Sequence, residues 1–196
     1  MQIQNKEISK TTLLKLGRRR RQSGELSMIE SAAVMAAAAL LALLAYAGGK
    51  FVMDRVHASQ FKSEAQLFHT GILDATANDT DFSAETLKTL SQNHAFDSAG
   101  SRVASGGSGV TGMFGGAVTA STGTVINTND AMVLTYPVPA TVCSLSVAAI
   151  ANAYTEVTVN GTTIASPSTT FSSATGATAC TSAGATATVA MYTTRS

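Results

Sequence analysis

The chain predicts an α+β protein: one long amino-terminal α-helix, apolar in its first half and amphipathic in its second, packed on a mainly antiparallel β-sheet. Three observations predict it. Residues 31–49 form nineteen consecutive positions without a formal charge, most of them Ala or Leu. Beyond them Val52, Val56, Phe61, Ala65, Phe68, Ile72 and Ala75 recur mostly three or four residues apart, the period of one helix face. From residue 79 onward the chain changes to short β-prone runs broken by Gly, Ser, Thr and Asn.

With 196 residues, 45% hydrophobic and 13% charged, the chain has room for one globular domain and a membrane element. Low charge and the lack of Trp argue against a basic nucleic-acid binder. The net charge of +1 hides an asymmetry: residues 1–24 carry seven of the thirteen Lys and Arg but one acid, Glu7, leaving six basic and eleven acidic residues in the rest. Lys and Arg are retained on the cytoplasmic side of a membrane, so a basic head stays inside while the body crosses.

The basic run Arg18, Arg19, Arg20, Arg21 is followed by Gly24-Glu25-Leu26-Ser27-Met28-Ile29-Glu30-Ser31. At about 1.5 Å per residue, the apolar helix that follows matches a hydrocarbon core of about 30 Å. One reading is a secretory signal peptide, since Ala45-Tyr46-Ala47 offers a small-x-small cleavage site. Two features oppose it. Glu30 would lie unpaired in the signal's apolar core, where a charge costs roughly 3 kcal/mol on insertion scales. The helical pattern also continues past Gly48 and Gly49, with Lys50, Asp54, Arg55, Lys62, Glu64 and Asp74 mainly on other faces. The spacing predicts one helix of about fifty residues, ended by the turn formers Asn78-Asp79-Thr80-Asp81.

After it the sequence predicts a helix from about Ser83 to Gln92, carrying Leu87 and Leu90. Strands are expected near Gly116–Thr119, Thr124–Asn127 and Ala131–Tyr136. Between Pro139 and Tyr154 the spacing of Leu145, Ala148, Ala149 and Ile150 suggests a second short helix. Thr155–Ile164 holds Asn160-Gly161 between Val157, Val159 and Ile164, a two-residue hairpin signal. Ala185–Thr193 alternates as a closing strand.

A basic leader ending in Gly24, then a hydrophobic helix with a Glu near its start, resembles the type IV pilins. The long leader, a first residue other than Phe, and the string Leu26-Ser27-Met28-Ile29-Glu30-Ser31-Ala32 resemble the type IVb branch, with its bundle-forming, toxin-coregulated and conjugative thin-pilus pilins. The resemblance implies that a prepilin peptidase cuts between Gly24 and Glu25. It also implies an inner-membrane platform protein, an assembly ATPase and an outer-membrane secretin as partners in building a homopolymeric filament. Glu30 is then sixth in the mature chain and Glu25 first; a cut after Glu25 would make Glu30 fifth. Cleavage creates an α-amine that is cationic near neutral pH, and a carboxylate of a neighbouring subunit can neutralise it in a low-dielectric core. Glu30 is the expected docking acid, with Glu25 as the other candidate.

The resemblance extends to the carboxy-terminal half. Met113-Phe114-Gly115-Gly116-Ala117-Val118 looks like the aromatic-Gly-Gly lead into the pilin sheet, and Cys143 with Cys180 looks like the disulfide that pins the carboxy-terminal region. Two cysteines in a part of the chain expected outside the cytoplasm favour one bond over a metal site. Two free buried thiols are the alternative.

Enzymatic patterns find little support, and no catalytic, cofactor or metal residue is assigned. His57 and His69 lie twelve residues apart on the long helix, more than three turns, and with His94 they make no shared metal site; they read as solvated or interfacial. Gly106, Gly107, Gly109, Gly112, Gly115 and Gly116 lack the Lys-Ser/Thr ending of a phosphate loop and read as a flexible or exposed loop. Asp130 has no nearby His for a nucleophile relay. The sequons at Asn78 and Asn160 are too short to be specific.

The expected organisation is a leader at 1–24, a membrane and filament-core half-helix at 25–49, an amphipathic half at 50–78 and a globular head at 79–196. Inner-membrane residence with a cytoplasmic amino terminus would precede assembly into an extracellular pilus. A minor pilin or secretion pseudopilin shares these features. A secreted binding protein cut after Ala47 is the alternative of another class.

Overall fold

A computed structural model describes residues 28–182 and 184–195, with side chains described from residue 33. The chain divides into two units, Met1–Gly49 and Lys50–Ser196. Helix α1, Met28–Ala75, runs through both. In the first unit its apolar residues are solvent-facing: Val34, Met35, Leu40, Leu41, Leu43, Leu44 and Tyr46 are each more than 60% exposed. Among the described residues this is the one helix long and apolar enough to cross a membrane.

In the second unit Ala58, Phe61, Ala65, Phe68 and Ile72 are buried, a stripe of three- and four-residue steps that lies against the sheet. Each large member contributes roughly 1.5–3 kcal/mol relative to an exposed side chain. Glu64 lies on this buried stripe at 8% exposure, where the spacing had put it on an outer face. The helix ends before the expected Asn78 turn, with Thr76 donating its hydroxyl to the Ile72 carbonyl at 2.7 Å. Gly71 admits the Ala95 carbonyl, which would lie 2.2 Å from a Cβ there.

Helix α2 spans Leu87–Gln92, shorter than the expected Ser83–Gln92. Asp81 explains the difference. Its Oδ1 accepts from the Ser83 backbone N–H at 2.9 Å and hydroxyl at 2.6 Å, a local turn that competes with helix. Thr86 then caps α2 reciprocally with Thr89. Two 3₁₀ segments, Asp97–Arg102 and Ser105–Gly107, follow.

The sheet holds β1 (Val110–Thr111), β2 (Ala117–Gly123), β3 (Ala131–Pro139), β4 (Glu156–Val159), β5 (Thr162–Ala165) and β6 (Thr186–Thr194). Its order is β1-β2-β3-β6-β4-β5, antiparallel throughout. The carboxy-terminal strand is thus central, paired with β3 from Ala131↔Thr194 to Pro139↔Thr186 and with β4 on its other side. Pro137 and Pro139 are tolerated in β3 because its pairing with β2 stops at Thr135, leaving one edge of that stretch without a ladder to interrupt.

The strand expected at Thr124–Asn127 is a loop. Asp130 draws its backbone away from the ladder: Val125 N–H donates to Oδ1 at 2.7 Å, and the N–H groups of Ile126 and Asn127 donate to Oδ2 at 2.8 and 2.7 Å. Burial tends to raise the Asp130 pKa, but these N–H donors outweigh it and hold the carboxyl below its ordinary value.

Helix α3, Ala140–Ile150, occupies the expected Pro139–Tyr154 interval. The β4–β5 hairpin turns at Asn160 and Gly161, with φ of 51° and 80°, the positive values a tight hairpin requires. Helix α4, Ser173–Thr181, gave no sequence signal because its Ser, Thr and Gly content has weak helix propensity.

Candidate functional site

Two features bear on function: an apolar helix face that no described residue covers, and a set of contacts that fasten the lower part of α1 to the sheet. The second is built around Glu64. Phe61 and Phe68, three residues before and four after it, place its carboxylate on the buried face, so burial requires a partner. Arg102, at the end of the first 3₁₀ segment, supplies a two-pronged one: Nη1 donates to Oε1 at 3.1 Å and Nη2 donates to Oε2. The same Nη1 also donates to the Thr111 carbonyl at 2.8 Å.

Tyr136 of β3 completes the network. Its hydroxyl donates to Glu64 Oε1 at 2.6 Å and accepts from the Met113 backbone N–H. Burial first, and the adjacent Glu64 carboxylate second, push the phenol well above its ordinary pKa, so it remains a proton donor at physiological pH. One carboxylate therefore ties α1 to the 3₁₀ segment, the turn after β1 and the middle of the sheet.

Glycine at two positions makes this approach possible. A Cβ at Gly112 would lie 2.4 Å from Tyr136 Cζ, and one at Gly116 would lie 2.2 Å from Pro137 Cγ. These two glycines form a packed turn, with Gly112 N–H donating to the Gly116 carbonyl at 2.8 Å, in place of the flexible or exposed loop expected of them. Phe114, next to them, stacks near Phe61, which in turn meets Tyr136 edge-on at 5.0 Å.

Farther along α1, Tyr154 donates its hydroxyl to the Ala65 carbonyl at 2.6 Å, and His69 meets the Tyr154 ring edge-on at 5.1 Å. Phe68 meets Phe96 edge-on at 5.0 Å. Past the end of α1, Arg195 donates to the Thr76 carbonyl and lies over the Phe82 ring at 4.6 Å. His57 and His69 are half-buried packing groups, bordering Phe114 and Tyr154, whereas His94 is exposed beside Asp97 at 3.1 Å.

Of the residues singled out in the sequence, Cys143 and Cys180 form a disulfide between α3 and α4, with Cα atoms 5.7 Å apart across a separation of 37 residues. Gly24 and Glu25 lie outside the described residues, as does the Glu30 side chain, although residue 30 belongs to the helical run of α1. Asn78 is exposed. The Asn160 amide is engaged: Nδ2 donates to the Ala179 carbonyl at 2.7 Å and Oδ1 accepts from Thr188 N–H at 2.8 Å. Glu64, Arg102, Tyr136, Tyr154 and Arg195 carried no motif. The one available signal was an acid within the apolar run Phe61, Ala65, Phe68.

Among solved structures, a type IVb pilin from Salmonella typhi is similar to this chain, with a TM-score of 0.53 at 17% identity over 68% of this chain and 97% of its own. TcpA, a type IV pilin from Vibrio cholerae El Tor biotype, is similar at 16% identity and a TM-score of 0.45, over 68% of this chain and 98% of its own. No curated protein sequence matches. A long amino-terminal helix, apolar in its upper part and packed below on an antiparallel sheet, is the type IV pilin fold. Residues 58–194 match the family model described as PilS N terminal. The chain belongs to the PilS family and has the fold of the type IVb pilins.

Proposed function

We propose that this chain is the precursor of the major subunit of a type IVb-like pilus. Residues 1–24 are its leader, and a prepilin peptidase cuts between Gly24 and Glu25. Residues 25–49 then hold the subunit in the inner membrane, amino terminus in the cytoplasm, and later pack in the filament core. Residues 50–78 join this segment to a head at 79–196. The platform protein, assembly ATPase and secretin act on the processed subunit.

The observation that carries this reading is the uncovered apolar face of α1. Seven large apolar side chains between Val34 and Tyr46 are exposed. So much apolar surface calls for lipid or other helices as its surroundings. Glu30 docks against the new α-amine of a neighbouring subunit, with Glu25 the alternative acid. That pairing fixes axial register in an assembly of identical contacts that never closes. In the single chain α1 continues through Gly48 and Gly49; their weak helix propensity makes them the place for local melting on assembly.

The deciding experiment is the mass of the mature protein's amino-terminal peptide from producing cells. A start at Glu25, with or without one methyl group, is expected. A start at Leu26 would keep the class and put Glu30 fifth. A start at Gly48 would make the helix a discarded signal and the protein a secreted binding protein. Abundance in purified filaments distinguishes a major subunit from a minor pilin or pseudopilin. Glu30→Ala should be cleaved normally yet fail to enter filaments.

A further inference from the structure

Among the described residues, the large exposed hydrophobics of the second unit lie on α1, with one exception. Ile126, in the β2–β3 loop, is 75% exposed. A single exposed apolar side chain is ordinary on a protein surface; the backbone beneath this one is not. The Asp130 carboxylate takes three consecutive N–H groups, those of Val125, Ile126 and Asn127, all within 2.8 Å. Ile126 is therefore presented from a fixed backbone, and a rigid contact group loses less entropy on docking than a mobile one.

The same unit carries a matching concavity. A groove of about 370 Å³ opens between the segment that precedes β4 and the β5–α4 connection. Ala151, Tyr154, Ala165, Pro167 and Phe171 give it an apolar lining, with Thr169 among its hydroxyl-bearing residues. None of its lining residues is charged, and the one formal charge in residues 117–130 is the Asp130 carboxylate, already taken by the three N–H groups beneath Ile126. Docking one into the other would bring only that carboxylate near the contact, with its hydrogen bonds already made.

Knob and groove lie at the same end of the sheet. Gly123 pairs with Ala131 and Ala131 with Thr194, while Glu156 pairs with Tyr192 and Val157 with Ala165. They sit on opposite flanks of that end: β2 and β5 are four strand spacings apart, roughly 19 Å. A knob cannot reach the groove of its own sheet at that distance. A knob on one flank and a hole on the other form a heterologous contact, the kind that propagates without closing.

We propose that Ile126 of one copy seats in the Tyr154–Phe171 groove of the next, making a head-to-head contact within the filament. The proposal rests on the pilus-subunit reading above. The partner is a second copy because knob and hole are both present on one chain and the homopolymer supplies one of each at every contact.

The test uses the full chain in piliated cells. With Ile126→Cys and Thr169→Cys combined, mild oxidation of filaments should give a ladder of disulfide-linked multimers, and neither single variant should. Normally abundant filaments without a ladder would overturn the proposal. If the double variant does not assemble, Ile126→Asp and Ile126→Leu decide. Asp is expected to lower filament yield about tenfold or more while the subunit stays protease-resistant, and Leu to retain it. Wild-type yield with Asp would overturn the contact and leave the pilin reading intact, whereas a wild-type chain absent from filaments would overturn both.

Discussion

The two parts of α1 are one continuous helix in two different environments. Between Val34 and Tyr46 its large apolar side chains are more than 60% exposed, whereas Phe61, Phe68 and Ile72 are fully buried. Both parts are apolar enough to demand burial. The lower part finds it in its own sheet, and adds a satisfied ion pair at Glu64 and a tyrosine on the Ala65 carbonyl. The upper part has no such cover among the described residues, so its apolar surface calls for lipid or other helices. The difference shows that the hydrophobic pattern sets the need for burial, while the polar groups interspersed in it indicate what satisfies that need.

This contrast can be tested by substitutions made in pairs. Phe68→Ala should cost about 3–5 kcal/mol in denaturant unfolding of the detergent-solubilised chain, while Leu41→Ala should change head stability by no more than about 0.5 kcal/mol. Equal losses would erase the distinction. Replacing Cys143 and Cys180 together should cost about 3–4 kcal/mol in the chain-entropy model for a 37-residue separation. Head-domain protease sensitivity should rise, and an unchanged digestion pattern on reduction would contradict this.

Two acids on the same helix sharpen the comparison further. Glu64→Gln should destabilise the head by roughly 2 kcal/mol, because Arg102 loses its charged partner. Asp74, ten residues later and exposed, should tolerate Asn within about 0.5 kcal/mol. Thermal unfolding of the two variants side by side decides the matter.

The smallest effect is expected at Asp130. Its carboxyl is held below its ordinary pKa by backbone donors, so its contribution is present above the unfolded value near 4. That contribution is lost as pH falls through the folded one. The stability gap between wild type and Asp130→Asn should therefore be open at neutral pH and close below about pH 4, as measured by urea titration across that range. A gap independent of pH would show that the charged carboxylate does not hold the loop.

Sequence reading succeeded wherever a local pattern dictated geometry. The apolar run and the three-to-four spacing through Ile72 located α1, since a helix face is a short-range property. Asn160-Gly161 located the hairpin because few residues adopt two successive positive φ values. It failed where a distant or competing partner decided the outcome. Thr124–Asn127 has strand composition, yet the carboxylate of Asp130 captures its N–H groups. Glu64 was assigned to an outer face because Arg102, 38 residues away, is not adjacent in the sequence. Gly112 and Gly116 read as flexible because Tyr136 and Pro137, which crowd them, lie 24 and 21 positions on.

What the sequence determined by itself was the long helix, its change from apolar to amphipathic, the hairpin and the pilin resemblance, all set by periodicity, turn chemistry and short motifs. Only the tertiary structure decided that β6 lies between β3 and β4, that Cys180 is carried on a helix, α4, packed beside α3, and that Glu64, Arg102 and Tyr136 converge. The reason is physical. Local patterns record which conformation a segment prefers, whereas strand order and buried ion pairing depend on which distant segments minimise exposed apolar surface and unpaired polar groups together.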